Sequence, residues 1–599
     1  MVRFRFLALL FVFVFLSSSL VLGVKGDITL LTVGESPSGD RKGGTADISL
    51  EVRAGSGKIF INSFPFTRED TQVSVRFAKD VACNFLEVDC SLLDFFYSIN
   101  IGSSSVGGPS AGAAITVLTI SVLNNNRLAG DVAITGTINS GGIIGPVSGL
   151  EEKAIAARNA GFSKILVPRN SVLVDRTLSD LNLSSNHSIS NHSDNISNFT
   201  IFYADSLVVE GIEIVPVSTL EEALYEFTGK TFPDYSFDII VPAQYQEIMM
   251  RVSEQLCERS YEILGFIPDS IKDDNLAILE NALESIELGV NASASSDFYS
   301  AASFCFSANS ALRALEFKSY SDEQLLNVAS QIRVSLNSLL DELNSRSLRT
   351  MSDLETYIIV KERLFEAKSL LDEDDYLDNL GYIMERRYSA IAWSSFFEFK
   401  GREVILDEDH LSKACIAKIS EAEERLSYID FFSGLVFDRS ELNDAKRFHE
   451  EGDHAFCIFR ASKVKADANA IILSMSLSRD RVGELINDQL TFARMQINKQ
   501  GNNFPILGFS YYSYASTLRD SRPQLSMVFA EYASEFSNLE MYFPSKRSIP
   551  WRIIFMSYST FFYGLFFGFV FFVGAWSFFT LFHRSLKKKT KKPRKNKKK

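Results

Sequence analysis

One hydroxyl in this sequence is set among residues too small to crowd it. Ser110 stands in Gly107-Gly108-Pro109-Ser110-Ala111-Gly112-Ala113-Ala114, and an apolar run over 113–122 follows. Glycine and proline impose a sharp turn, and the apolar run reads as a helix. A serine at that junction sits at a helix N-terminus, where backbone N–H groups and the helix dipole favour developing negative charge. A serine nucleophile needs such a site. By itself the stretch is equally a structural turn, so a second group must activate the alcohol. Lys153 is the candidate, with Thr135 between the two. A lysine acts as a base near neutral pH only when its pKa is lowered, and desolvation does that. Lys153 is followed by Ala154, Ile155, Ala156 and Ala157, which suits an apolar helix face. Beside Glu151 and Glu152, and without Ser110, it would read as a solvated helix lysine.

The elements that must position these groups follow from periodicity. Strands are expected over 27–33, 46–54, 58–62, 94–101, 131–138, 164–168 and 212–217, and helices over 67–86, 113–123, 149–160 and 220–228. This is an α/β pattern with mixed connections. It is interrupted at 175–200 by a Ser- and Asn-rich insert with N-x-Ser/Thr sequons at Asn182, Asn186, Asn191, Asn195 and Asn198. Such density suits an exposed, glycosylated loop, with incidental sequons in a polar loop as the alternative. From 238 to 545 the reading is helical, with a faint echo of Ala367-Lys368/Asp375-Tyr376 in Ala445-Lys446/Asp453-His454 that suits stacked helix pairs.

The ends speak for a membrane. Residues 1–26 carry Arg3 and Arg5 before an uncharged run, as a signal peptide or signal anchor does. Residues 553–582 contain no charged side chain, and a bilayer span needs about 20 apolar residues. The tail over 583–599 is basic, and positive residues stay on the cytoplasmic side. The expected placement is therefore a cell-membrane protein whose single C-terminal span leaves the catalytic part outside the cytoplasm. The formal net charge of the chain is −13, although the tail from Arg584 onward is strongly positive. The remainder is thus an acidic body, which speaks against a nucleic-acid partner. Six cysteines lie outside the span. An exported chain permits disulfides, with Cys83–Cys90, Cys257–Cys305 and Cys415–Cys457 as pairs and buried free thiols as the alternative. No C-x-x-C occurs, and His449 and His454 read as surface residues, so no metal site is expected.

Taken together, the motifs resemble the Lon protease family, the S16 serine peptidases. That family has a G-P-S-A-G serine loop, a T-G-E-I strand and a P-V-G-G-hydrophobic-K-E-K approach to its lysine. This chain reads Gly108-Pro109-Ser110-Ala111-Gly112, Thr135-Gly136-Thr137-Ile138 and Pro146-Val147-Ser148-Gly149-Leu150-Glu151-Glu152-Lys153. The resemblance runs over about residues 47–229, including 162–168 and 214–217. It implies an α+β Lon proteolytic domain of the ribosomal protein S5 domain 2-like kind over 27–230. It also implies a Ser–Lys dyad, with Ser110 as nucleophile, Lys153 as general base and Thr135 orienting the lysine. Backbone N–H groups of Ser110 and Ala111 would form the oxyanion site. Hexameric rings are common in the family. Three departures touch the cleft walls: Val106 and Gly107 stand where the family has a lysine and an acid, Thr137 replaces its glutamate, and Ser148 replaces a glycine.

The family's cytoplasmic enzymes carry an ATPase with G-x-x-x-x-G-K-[ST]. Here the only Gly-Lys-Thr is Gly229-Lys230-Thr231, and Leu224 stands where the first glycine is needed. The expectation is an ATP-independent, membrane-anchored serine endopeptidase without cofactor, acting on unfolded or extended polypeptides near the membrane. A membrane-anchored binding or assembly scaffold with the same fold is the alternative.

Overall fold

In β1 (Val24–Glu35) two neighbouring residues enter different cores. Leu30 packs with the Gly112–Asn124 helix, and Leu31 with the Leu150–Asn159 helix. Successive strand side chains point to opposite faces, so the two helices cover opposite faces of one sheet. The structure, a computed structural model, describes residues 23–35, 41–64, 69–101, 109–139, 141–169, 172–174, 201–203, 207–233, 235–433, 437–475, 482–501, 503–543 and 549–589. Residues 1–22 of the expected leader, the whole sequon-bearing insert over 175–200 and the end of the basic tail lie outside these residues, while residues 24–26 open β1.

The sheet also contains β2 (Arg41–Ala54), β3 (Ile59–Phe64), β4 (Leu93–Ile101), β5 (Val132–Ile134), β8 (Lys164–Pro168) and β11 (Glu213–Val217). Its seven strands run in the order β11-β8-β5-β1-β2-β4-β3. β1 is antiparallel to β2 and parallel to β5, so the sheet is mixed, as expected. The strand expected over 131–138 is broken. β5 stops at Ile134, and β6 (Thr137–Ile138) leaves the main sheet to pair with β7 (Ile144–Gly145). The reason is Gly136, whose backbone groups bond to the serine turn instead of a neighbouring strand. β9 (Val172–Val174) and β10 (Ile201–Tyr203), which flank the insert, pair antiparallel.

Beyond residue 243 the described chain is helical up to the apolar C-terminal helix. Tyr245, on the first of these helices, packs on Phe396, Phe504 and Phe509 and exchanges a 2.8 Å hydrogen bond with Ser510, 265 residues away. Such a contact packs helices distant in sequence against one another, alongside several smaller clusters. Disulfides Cys83–Cys90, Cys257–Cys305 and Cys415–Cys457 pair all six cysteines.

The helix Trp551–Lys589 contains the one stretch among the described residues long and apolar enough to cross a membrane, Gly564–Arg584. Its first turns are docked on the sheet. Ile553 is buried in the core that contains β2, and the Ala54 N–H donates to Ser557 Oγ at 2.9 Å.

The helical half also grips the sheet half near the break after β5. Arg425, buried in the Glu408–Ser433 helix, donates from Nη2 to the Ile138 carbonyl at 2.9 Å. The Gln496 amide donates to the Gly141 carbonyl, and Lys499 pairs with Glu221 at 2.6 Å. A buried carbonyl that loses its donor costs about 1–3 kcal/mol. Arg425→Met is therefore expected to lower the thermal midpoint of the protein, measured by scanning calorimetry, while the conservative Gln496→Asn change has a smaller effect.

Candidate active site

Ser110 lies in a single 3-10 turn, Pro109–Ala111, that runs straight into the Gly112–Asn124 helix. Residues 112–123 of that helix are all buried, whereas Ser110 itself is partly exposed. Ala111 is the N-cap and supplies no side-chain cap, so no side chain competes for the N–H groups at this end. Pro109 has no N–H to offer.

Gly136 holds the turn in place. Its N–H donates to the Ser110 carbonyl at 3.0 Å, and its own carbonyl accepts the Ala113 N–H at 3.0 Å. The clamp demands a glycine. A Cβ there would stand 2.4 Å from Ile144 Cγ2 and 3.3 Å from Ala113 Cβ. Gly112 is similarly close to β6, where a Cβ would meet Ile138 Cγ2 at 3.0 Å. Thr135 is buried, donates its N–H to the Leu166 carbonyl at 3.0 Å, and directs Oγ1 to the Ser110 carbonyl at 3.4 Å. The structure thus brings Ser110, Thr135 and Gly136 together. The hydroxyl of Thr137, where the resemblance leads one to expect glutamate, is buried with no hydrogen-bond partner among the described residues.

Lys153 is seated by two other glycines. Gly149, the N-cap of the Leu150–Asn159 helix, has φ +68°, and a Cβ on it would lie 2.7 Å from Val33 Cγ2. On β2, a Cβ at Gly43 would lie 1.9 Å from the Glu152 carbonyl oxygen. The first turn of the helix therefore lies directly on strand backbone, and Lys153 goes under with it. Its exposure is 3%. Burial drives the amine down from 10.5 to about 7, opposed only by the nearby Glu152 carboxylate. Among the described residues no ion pair or hydrogen bond holds that amine, and none joins it to the Ser110 hydroxyl. Residues 102–108, which lead into the serine turn, lie outside the described residues.

The histidines are placed differently from the expectation of two surface residues. His454 is buried at 9% exposure, and its Nδ1 is 3.1 Å from that of His449. Burial, and then the charge of His449, lower the His454 pKa. Phe448 and Phe456, close to them in sequence, stack edge to face in the core of the helical half. Cys415 joins them, all three ligand atoms lying within 4.8 Å of one another. Its sulfur is bonded to Cys457, so it is not a thiolate that could bind a metal.

The segment that carries this geometry is similar to known proteins. Residues 86–190 match the family described as the Lon protease (S16) C-terminal proteolytic domain, and the match contains Ser110, Thr135, Gly136 and Lys153. A Lon protease of Phenylobacterium zucineum is 36% identical over 104 residues, 17% of this chain and 13% of that protein. A Lon protease of Haemophilus influenzae is 31% identical over 130 residues, 22% of this chain and 16% of its own length. One from Clostridium beijerinckii is 28% identical over 185 residues, 30% of this chain and 19% of that protein. The chain thus spans less than a fifth of each of these relatives, and the family match stays within its sheet half.

Gly136→Ala is expected to displace the serine turn and to lower both thermal stability and any Ser110-dependent activity. Activity and circular dichroism on one preparation test this; unaltered turnover in a folded Gly136→Ala variant would contradict the clamp. A second outcome concerns Lys153 and pH. Between about 7 and 10.5 the unfolded chain binds the proton that the folded chain does not, so stability falls as pH drops through this window and the full penalty persists below it. Lys153→Met is expected to raise the thermal midpoint at pH 7, with the gain shrinking toward pH 10.5.

Proposed function

We propose, starting from the Lon-type (S16) proteolytic domain that residues 86–190 carry, that the protein is a serine endopeptidase working through a Ser110–Lys153 dyad. The observation that carries the reading is a lysine amine buried without a counter-ion among the described residues, in the same matched segment as a serine on a clamped helix N-terminus. A scaffold gains nothing from such a lysine, because burying an unpaired charge is destabilising. A base gains its working range from it.

In the proposed reaction the neutral Lys153 amine takes the Ser110 proton as Oγ bonds to the peptide carbonyl carbon. The oxyanion that forms is met by the backbone N–H groups of Ser110 and Ala111. The protonated amine then returns its proton to the leaving nitrogen, the C–N bond breaks, and Ser110 holds the acyl group. A water, deprotonated by Lys153, hydrolyses that ester and restores both residues. Thr135, already on the Ser110 carbonyl, orients the lysine. The fold assignment carried with this reading is the ribosomal protein S5 domain 2-like class.

Place and substrate class belong to the same proposal. The Gly229-Lys230-Thr231 segment lacks the earlier glycine of a phosphate loop, which supports ATP independence. Three disulfides, the sequon cluster and a basic tail after the apolar helix support an extracytoplasmic catalytic half anchored in the cell membrane. Without an unfolding motor, the substrates are already unfolded or extended polypeptides. A hexamer is the assembly that the family resemblance suggests.

The test is cleavage of an unfolded protein by the detergent-solubilised full chain without nucleotide. Ser110→Ala and Lys153→Arg are each expected to reduce the rate at least about a thousandfold, the arginine because it stays charged. In the unaltered protein the rate is expected to rise with pH through about 7, as the amine loses its proton. Retained activity in either folded variant would overturn the dyad.

A further inference from the structure

The helical half holds a cavity of about 460 Å³, far from the serine turn in sequence and built from other residues. Sites for small ligands measure about 300–1,000 Å³. Ten of its 21 lining residues carry rings, Tyr299, Trp393, Tyr511, Tyr514 and Phe529 among them. Two guanidinium groups enter it, and they are not equivalent. Arg386 is closely paired with two carboxylates: Nη2 donates to both oxygens of Glu362, at 2.8 and 2.7 Å, and Nε lies 2.5 Å from Glu366 as an ion pair, though without a hydrogen bond of its own among the described residues. Arg363 is paired more loosely. Its Nε donates to Ser389 Oγ at 2.9 Å and Nη1 to the Ile359 carbonyl at 3.1 Å, while Glu362 is 3.7 Å away.

That leaves the Arg363 Nη2 donors without a partner among the described residues, in a side chain only 8% exposed. The guanidinium lies over the Trp393 ring, 4.8 Å from its centroid, and so is fixed in place. Burial, and then the charge of Arg386, press the Arg363 pKa downward, and the Glu362 carboxylate offsets them only in part. The hydroxyls of Tyr511 and Tyr514 likewise have no hydrogen-bond partner among the described residues. Spare, rigid donors at the wall of an aromatic cavity call for a planar anion carrying an apolar body. One wall argues against a plain acyl chain. Ser303, Ser307 and Ser310 line it from one helix, and their polarity suits amide groups.

We propose that this cavity binds the free C-terminal carboxylate of a peptide ending in an aromatic or large aliphatic residue, with Arg363 taking the carboxylate and the ring walls taking the side chain. This rests on the peptidase reading only for its source of such ends, since each cleavage of a polypeptide creates one. The site would hold a substrate tail or a released product on the helical half while the serine turn acts elsewhere on the chain.

The experiment uses the detergent-solubilised full chain carrying Ser110→Ala, so that binding is read without cleavage and succeeds or fails independently of catalysis. N-acetyl-Leu-Phe with a free carboxylate, its C-terminal amide, and laurate are titrated calorimetrically. The acid is expected to bind at least about tenfold more tightly than the amide, and laurate more weakly than the acid. Arg363→Gln is expected to erase the preference for acid over amide. Ser307, exposed at the rim, gives a variant that does not disturb the core: Ser307→Trp is expected to abolish binding of both peptides. No binding of the acid at millimolar concentration, equal binding of acid and amide, binding unaffected by Ser307→Trp, or laurate as the preferred ligand would each overturn the proposal.

Discussion

An amine withdrawn from water, with no ion pair or hydrogen bond among the described residues, is the costly feature around which this sheet half is arranged. Lys153 is 3% exposed, and its helix is pressed against strand backbone at Gly43 and turned by Gly149. The position cannot relax outward without separating the helix from β2. Nor can a counter-ion approach easily, since Leu150, Ala154 and Ala157 form an apolar core with Leu31 around the same helix. Burial thus lowers the amine's pKa to about 7, which makes its neutral, proton-accepting form accessible near neutral pH.

The serine side is built by a different device, exchange of backbone hydrogen bonds. Gly136 leaves the sheet so that its N–H and carbonyl can reach Ser110 and Ala113. The same excursion ends β5 and starts β6, whose Ile138 carbonyl is then taken by Arg425 of the helical half. The two halves of the protein are thus joined by a buried hydrogen bond two residues from the clamp. On the same core, Ser557 and Ile553 of the apolar helix are docked on β2. The sheet half is accordingly fixed both to the helical half and to the base of the apolar helix.

Much of this was legible in residue types. The alternation in 46–54 and the uniform apolar character of 113–122 mark strand and helix because burial enforces their periods. Ser110 and Lys153 stand out because their neighbours are small or apolar. The break at Gly136 was harder to see. Thr-Gly-Thr reads as part of a strand, although a glycine inside a strand is the usual sign that another backbone comes close. Arg425 was invisible, because a buried arginine on a helix looks like any other until the carbonyl it serves is known. The burial of His454 is equally hidden, because nothing in the residues beside it shows which surfaces cover it. The cavity around Arg363 draws on helices far apart in sequence and has no local signature at all.

The most direct test is the titration of Lys153 itself. In full-length protein labelled with ¹³C at lysine Cε, the resonance absent from a Lys153→Met sample is followed by NMR against pH. A midpoint close to 7, against the ordinary 10.5, is the result this account requires. A midpoint at that ordinary value in the folded protein would mean that the amine stays charged, and the base would have to be sought elsewhere.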